Sequence, residues 1–209
     1  MKDCKQKWWK DAALGMFVHW GLYSMLGGVW NGRRTDNVSE WIMRHLEIPV
    51  ESYRALAASF CPENFNARQW VQLAADSGMK YLVYTAKHHD GFAMYRSACS
   101  RYNIVDATPF GRDPLLELAE ACAMAGIKLG VYYSQAQDWD EPNGLGYGKP
   151  DSEKNYAQYY HDKCLPQLRE LLTQYGSLGL MWFDTPMSMT AEQSRGIYDL
   201  SLIHISEPT

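Results

Sequence analysis

No stretch of the 209-residue chain reaches 18 consecutive apolar residues, so a membrane-spanning helix is not expected. Cysteine is sparse and poorly placed for chemistry. Cys4, Cys61, Cys99, Cys122 and Cys164 contain no CxxC spacing, and an odd number cannot pair completely within one chain. Reduced thiols are therefore expected, and a cysteine-built zinc or iron–sulfur site is not. An excess of charge is also missing. Twenty basic and 24 acidic side chains leave a net charge of -4, which argues against nucleic acid as the main partner. Met1 to Lys10 is charged and no long apolar segment follows, so no secretory leader is visible. A cytoplasmic location, or one the sequence does not give, is the matching expectation.

The chain also lacks a nucleotide fingerprint. Gly15-Met16-Phe17-Val18-His19-Trp20-Gly21 puts a histidine and a tryptophan where a dinucleotide turn needs glycines. Gly27-Gly28 has neither the fingerprint spacing nor a P-loop lysine.

What is present is alternation. Four apolar runs predict strands, at Leu14 to Trp20, Lys80 to Thr85, Ile127 to Ser134 and Leu178 to Asp184. Between them the spacing predicts helices. Asn66 to Ser77 opens on a capping box, Asn66 with Gln69, stapled by Phe65 and Trp70. Its apolar face is expected at Trp70, Leu73 and Ala74, with Gly78 as the stop. Asp113 to Ala125 starts on a capping aspartate and Pro114, and carries a Leu115, Leu118, Ala119, Cys122 stripe up to Gly126. Another helix starts near Pro49, with Tyr53, Leu56, Ala57 and Phe60 on one face, and a fourth covers much of Ser152 to Gln174. Gly27 to Glu47 reads as an inserted loop. Strand, loop and helix in repetition give an α/β class with parallel strands and helices outside them. Either an open doubly wound sheet or about half of a (β/α)8 barrel satisfies the pattern, since a whole barrel takes roughly 250 residues.

Polar and aromatic residues collect at the ends of these runs: His19-Trp20, Lys87-His88-His89-Asp90-Gly91, Tyr132-Tyr133-Ser134 and Trp182-Phe183-Asp184. Carboxyl ends of parallel strands share one rim, so these groups can meet around one ligand. A period of two puts Leu178, Leu180, Trp182 and Asp184 on one face. An aspartate continuing an apolar row needs a partner or a task; the plainer reading is a cap on the Thr185-Pro186 turn. His88 and His89 share a site only if the chain turns, which Asp90-Gly91 allows. Zinc on His19, His88, His89 and Asp184 is an alternative, although no compact ligand spacing is present. Trp20, Trp41, Trp139 and Trp182 are either core residues or the platforms of a sugar site.

Taken in order, Gly15-Met16-Phe17-Val18-His19-Trp20-Gly21, Ser39-Glu40-Trp41, Lys80 to Phe92, Leu129 to Ser134, Asp138-Trp139 and Met181-Trp182-Phe183-Asp184 resemble one family. The chain is similar, over about residues 7 to 200, to the N-terminal half of the catalytic domain of alpha-L-fucosidases of glycoside hydrolase family 29. That resemblance implies a retaining exo-hydrolase of terminal alpha-L-fucose on a (β/α)8-like barrel, often followed by a β-sandwich domain. It implies Asp184 as nucleophile, and His19, His88 and His89 on fucose hydroxyls. Glu40 and Trp41 would complete the pocket, Trp182 would line it, and Tyr133, with Tyr132 left open, would supply the third-strand tyrosine. No cofactor or metal is implied, and the expected partners are fucosylated oligosaccharides or glycoconjugates, with neither nucleic acid nor membrane.

Two features depart from the family. Its general acid/base lies downstream of the nucleophile, and Glu192, eight residues on, matches no motif for that role. Residues 1–200 are expected to be the catalytic half and 201–209 a tail outside the family pattern, resembling a translated adapter, so His204 is set aside. Half a barrel leaves edges unpaired, so poor solubility or partial unfolding, with little fucosidase activity, is expected of this chain. The alternatives are another retaining glycoside hydrolase for galactose-like sugars, a catalytically inactive carbohydrate-binding module, or a zinc-dependent hydrolase.

Overall fold

The computed structural model describes residues 8–206, with side chains to residue 201. Cys4 and the last three residues of the expected tail lie outside the described residues.

Strand β1 (Gly15–Val18) is followed by the short helix α1 (Tyr23–Leu26) and a small hairpin, β2 (Val29–Trp30) with β3 (Arg33–Arg34). A 3-10 turn (Ser39–Trp41) leads into α2 (Ile42–His45), and α3 (Val50–Arg54) continues into a second 3-10 turn (Ala55–Ser59). Thereafter the alternation is regular: α4 (Ala67–Asp76), β4 (Tyr81–Lys87), α5 (Pro114–Ala125) and β5 (Lys128–Ser134). A broken helical stretch follows, α6 (Tyr156–Tyr159), a π turn (Tyr160–Cys164) and α7 (Leu165–Gln174). Strand β6 (Leu180–Asp184) and α8 (Ala191–Ser206) complete the described chain, and α8 runs through the expected boundary at residue 200.

The main sheet has the order β1-β4-β5-β6, all parallel. Each strand sits beside the next one of that sheet in chain order. A doubly wound sheet reverses its order at a switch point, and this one does not. Sequential order is the arrangement of adjoining strands in a (β/α)8 barrel.

Local signals account for most boundaries. The Asn66 side chain accepts from the Gln69 N–H at 3.1 Å, and the Phe65 and Trp70 rings meet edge-on at 4.9 Å. The buried stripe of α4 is Ala67, Val71 and Ala74; Leu73 is 60% exposed, so the expected face is rotated. Positions 67, 71 and 74 keep the four- and three-residue spacing of one face, and Leu73 lies off it. Asp113 accepts from the N–H groups of Leu115 and Leu116, Pro114 opens α5, and Gly126 at φ 69° ends it. The helix expected from Ser152 begins at Tyr156, because Asn155 caps it by accepting from the Gln158 N–H. It widens into the π turn just where Pro166, having no N–H, cannot bond to the Asp162 carbonyl.

The two faces of the sheet differ. Leu82, Tyr84, Ala86, Leu129, Val131 and Tyr133 are buried beneath the helical layer. The opposite face carries Phe17, Thr85, Tyr132 and Trp182, and there Phe17 is 39% and Trp182 47% exposed. That half-open face leads to the rim where the polar strand ends gather.

Candidate active site

Sheet register sets the height of each group. Thr85, Tyr132 and Trp182 are level, and Ser134 and Asp184 are level one step nearer the rim. Leu180, Trp182 and Asp184 share a face, as alternation requires. Gly130 leaves room on that face, since a Cβ there would press on Leu180 and Val83. Phe17 fills the floor, edge-on to Tyr132 and Trp182 at 5.9 and 5.3 Å between ring centres.

Asp184 ends the row. Its Oδ2 accepts from the Tyr132 hydroxyl at 2.6 Å, and its Oδ1 accepts from the Thr185 N–H at 2.9 Å. Just beyond the carboxylate the backbone leaves the extended region, with Thr185 at φ 49°. Burial and then the Asp184 bond raise the Tyr132 pKa, so the phenol remains a donor.

Three histidines cluster beside this carboxylate. His89 Nε2 is 3.8 Å from Asp184 Oδ2. His88 and His89 have ring centres 4.0 Å apart, although adjacent residues of a regular strand would diverge. A register shift between Thr85 and Lys87, then a turn at Gly91 (φ 76°), brings both to the rim. A side chain at Gly91 would also collide with the Asp138 carboxylate, so glycine is required twice over. His88 stacks on Tyr132 and stands edge-on to His19 at 5.2 Å. Burial lowers the pKa of all three. His89 is pushed down to about 3 despite the pull of Asp184, and His19 is lowered despite Glu40 and Asp184. The site thus pairs a carboxylate with neutral imidazoles, which can donate or accept hydrogen bonds without neutralising it.

The inserted loop closes one side. The Trp41 ring meets His89 edge-on at 4.9 Å and Trp139 at 5.4 Å. Glu40, its neighbour, is close enough to act electrostatically on His19.

One expected placement is corrected, and the open choice at Trp20 is decided. Tyr133 does not face the site: its hydroxyl donates to Gln167 Oε1 at 2.9 Å, inside the helical layer. Alternation on β5 sends Tyr132 inward and Tyr133 outward, so Tyr132 is the tyrosine of the site. Trp20 packs against Phe60, Phe65 and Trp70 and belongs to the core between sheet and helices. His19, Glu40, Trp41, His88, His89, Trp182 and Asp184 come together at the rim. Sequence reasoning missed Ser134, whose Oγ lies 2.7 Å from His89 Nδ1. Its place two residues after Tyr132 on the same face was the available signal.

Beside the site lies a second, closed cluster of charge. Lys87 and Lys163 both pair with Asp138, at 3.2 and 3.0 Å, and Lys163 also pairs with Glu141. Burial pushes the Asp138 pKa upward, but the two lysines outweigh it and hold the carboxyl below the usual range. The loop carrying Asp138 is tied to the site by the Trp139 N–H donating to the His89 carbonyl at 2.7 Å. Among the described residues no three His, Cys, Asp or Glu side chains are grouped as around a metal ion. Nor is any described helix long and apolar enough to cross a membrane. Cys61, Cys99, Cys122 and Cys164 are free thiols.

The sequence profile of the alpha-L-fucosidase family matches residues 2–205. The chain belongs to the alpha-L-fucosidase family. It is 33% identical to alpha-L-fucosidase 1 of Arabidopsis thaliana, a match spanning 100% of this chain and 36% of that protein. It is 32% identical to the tissue alpha-L-fucosidase of Rattus norvegicus, over 85% of this chain and 39% of that one. Among solved structures, the alpha-L-fucosidase AlfC from Lactobacillus casei with its alpha-L-fucose product superposes with a TM-score of 0.92 at 44% identity. That match covers 95% of this chain and 67% of AlfC. The alpha-L-fucosidase of Vibrio sp. strain EJY3 gives 0.90 at 39% identity, over 96% of this chain and 36% of the other. The fold is therefore an incomplete (β/α)8 barrel of fucosidase type, and the chain spans about two fifths of the length of its curated relatives.

Proposed function

We propose that this chain carries the sugar-binding and nucleophile half of a retaining alpha-L-fucosidase. One observation supports the reading above the others: an Asp184 carboxylate at the tip of β6, held by Tyr132 and faced by His89 at 3.8 Å, on a half-open aromatic floor. AlfC, whose fold matches, was solved with alpha-L-fucose as product and as a variant with Fuca(1,6)GlcNAc, and terminal fucose on a glycan is the proposed substrate class here.

In the proposed reaction an Asp184 oxygen attacks the anomeric carbon as the bond to the leaving oxygen breaks, and the electron pair goes to that oxygen. A second carboxylic acid protonates it. The glycosyl ester then yields to water, whose proton returns to the second carboxylate as the carbon–Asp184 bond breaks. Tyr132 holds the attacking group by a charge-assisted bond, and His19, His88, His89 and Glu40 position the ring hydroxyls. Trp41 and Trp182 cover its CH surfaces. By resemblance the second carboxyl follows Asp184 in the chain; Glu192, exposed in the first turn of α8, is not assigned to it.

The test is Asp184→Gly in the full-length enzyme, assayed on nitrophenyl alpha-L-fucoside with and without azide. Turnover should vanish, and azide should restore part of it while forming fucosyl azide of inverted configuration. Unchanged turnover by the variant would overturn the assignment.

A further inference from the structure

Ser134 Oγ lies 2.7 Å from His89 Nδ1 and 2.9 Å from the Gln137 carbonyl oxygen, all within the interior. A carbonyl can only accept, and a hydroxyl has one proton. Ser134 therefore donates to Gln137 and accepts from His89. The reverse would set two oxygen lone pairs against each other at 2.9 Å. Thr185 Oγ1, 3.5 Å away, is placed to donate to the second lone pair of Ser134. In a neutral ring with its proton on Nδ1, Nε2 is bare. That nitrogen faces Asp184 Oδ2 at 3.8 Å, too far for a hydrogen bond between them.

We propose that Ser134 is a positioning residue that locks His89 in its Nδ1–H tautomer, so that Nε2 accepts a hydrogen bond from a hydroxyl of the bound sugar. This rests on the rim being the sugar site. The neutrality it needs agrees with the burial of His89, whose pKa is pushed down to about 3. Two acceptors, Nε2 and Asp184 Oδ2, then face one gap, into which a sugar hydroxyl can donate. The opposite tautomer would turn an N–H toward Asp184 and leave the sugar hydroxyl no acceptor on His89.

Nitrogen-15 NMR of the histidine-labelled full-length enzyme reads the tautomer directly, with His89 assigned by the signal lost in His89→Asn. Nδ1 should carry the proton and Nε2 be bare in the wild type and in Ser134→Thr. In Ser134→Ala the proton should move to Nε2, drawn by Asp184. A wild-type ring protonated at Nε2, or an unchanged spectrum in Ser134→Ala, overturns the proposal. Deoxy and deoxyfluoro fucosides test the sugar's part without relying on a variant's fold. At the ring position whose deoxygenation no longer matters in His89→Ala, the fluoro sugar should bind the wild type about tenfold more weakly than fucoside, since fluorine cannot donate. Equal binding of the two overturns the donor assignment. If no fucoside binds, the sugar-site reading falls, and the NMR result still decides the role of Ser134.

Discussion

Asp138 and Asp184 stand at the same rim and are held in opposite ways. The Asp138 side chain is wholly buried and neutralised by two lysines, whereas Asp184 is 37% exposed and has a tyrosine and neutral histidines for company. A carboxylate between two cations is stabilised, and its lone pairs are fully engaged. One held by a phenol and a backbone N–H is oriented yet keeps a lone pair free for chemistry. Charge without a cation at a half-open rim is what suits Asp184 to the nucleophile's role proposed for it, and charge with paired cations suits Asp138 to the framework.

The largest effect should come from the reactive member. In the full-length enzyme Asp184→Asn should lower kcat by at least about a thousandfold, while the melting temperature measured by calorimetry stays within a few degrees. Asp138→Asn should do the reverse. It strands the buried Lys87 and leaves Lys163 with Glu141 alone, and breaking such a buried pair costs about 3–5 kcal/mol, read as a lower midpoint in urea. If Asp138→Asn left stability intact, the division between the two carboxylates would collapse.

The adjacent tyrosines sharpen the contrast. Tyr132→Phe removes a charge-assisted bond to Asp184 and should cost roughly ten- to a hundredfold in kcat, with little loss of stability. Tyr133→Phe leaves the buried Gln167 oxygen without its donor and should cost about 1–3 kcal/mol, with kcat nearly unchanged. Kinetics and denaturation on the pair decide this. The smallest effect concerns pH. His89 should remain neutral by NMR well below its ordinary value of 6.5, down toward about 3. Its folded pKa lies below its unfolded one, so unfolding takes up a proton. Its contribution to stability is full above about pH 6.5 and falls as pH drops toward 3. A His89 ring titrating near 6.5 in the folded chain would contradict the burial on which its neutrality depends.

Most of the fold was legible in short-range chemistry. The capping box at Asn66, the Asp113-Pro114 start and the glycine stops act within one turn of chain, and the structure keeps them. The α4 face at Leu73 was misplaced because helical spacing admits neighbouring stripes, and only packing against the sheet selects one. The choice between doubly wound sheet and barrel was open for a similar reason, since both share the strand–helix rhythm and differ only in which strands pair.

Residue types at the strand ends, and hence a carboxylate, three histidines and Trp182 on one rim, followed from the sequence alone because parallel strands bring their carboxyl ends together. Whether Tyr132 or Tyr133 turns inward required the register of β5 against β4 and β6, since a shift of one residue exchanges the faces. The meeting of His88 with His89, the link from His89 to Ser134, and the sealing of Asp138 behind two lysines required the tertiary structure. Each depends on groups from distant segments arriving within a few ångströms of each other, and local spacing carries no information about that distance.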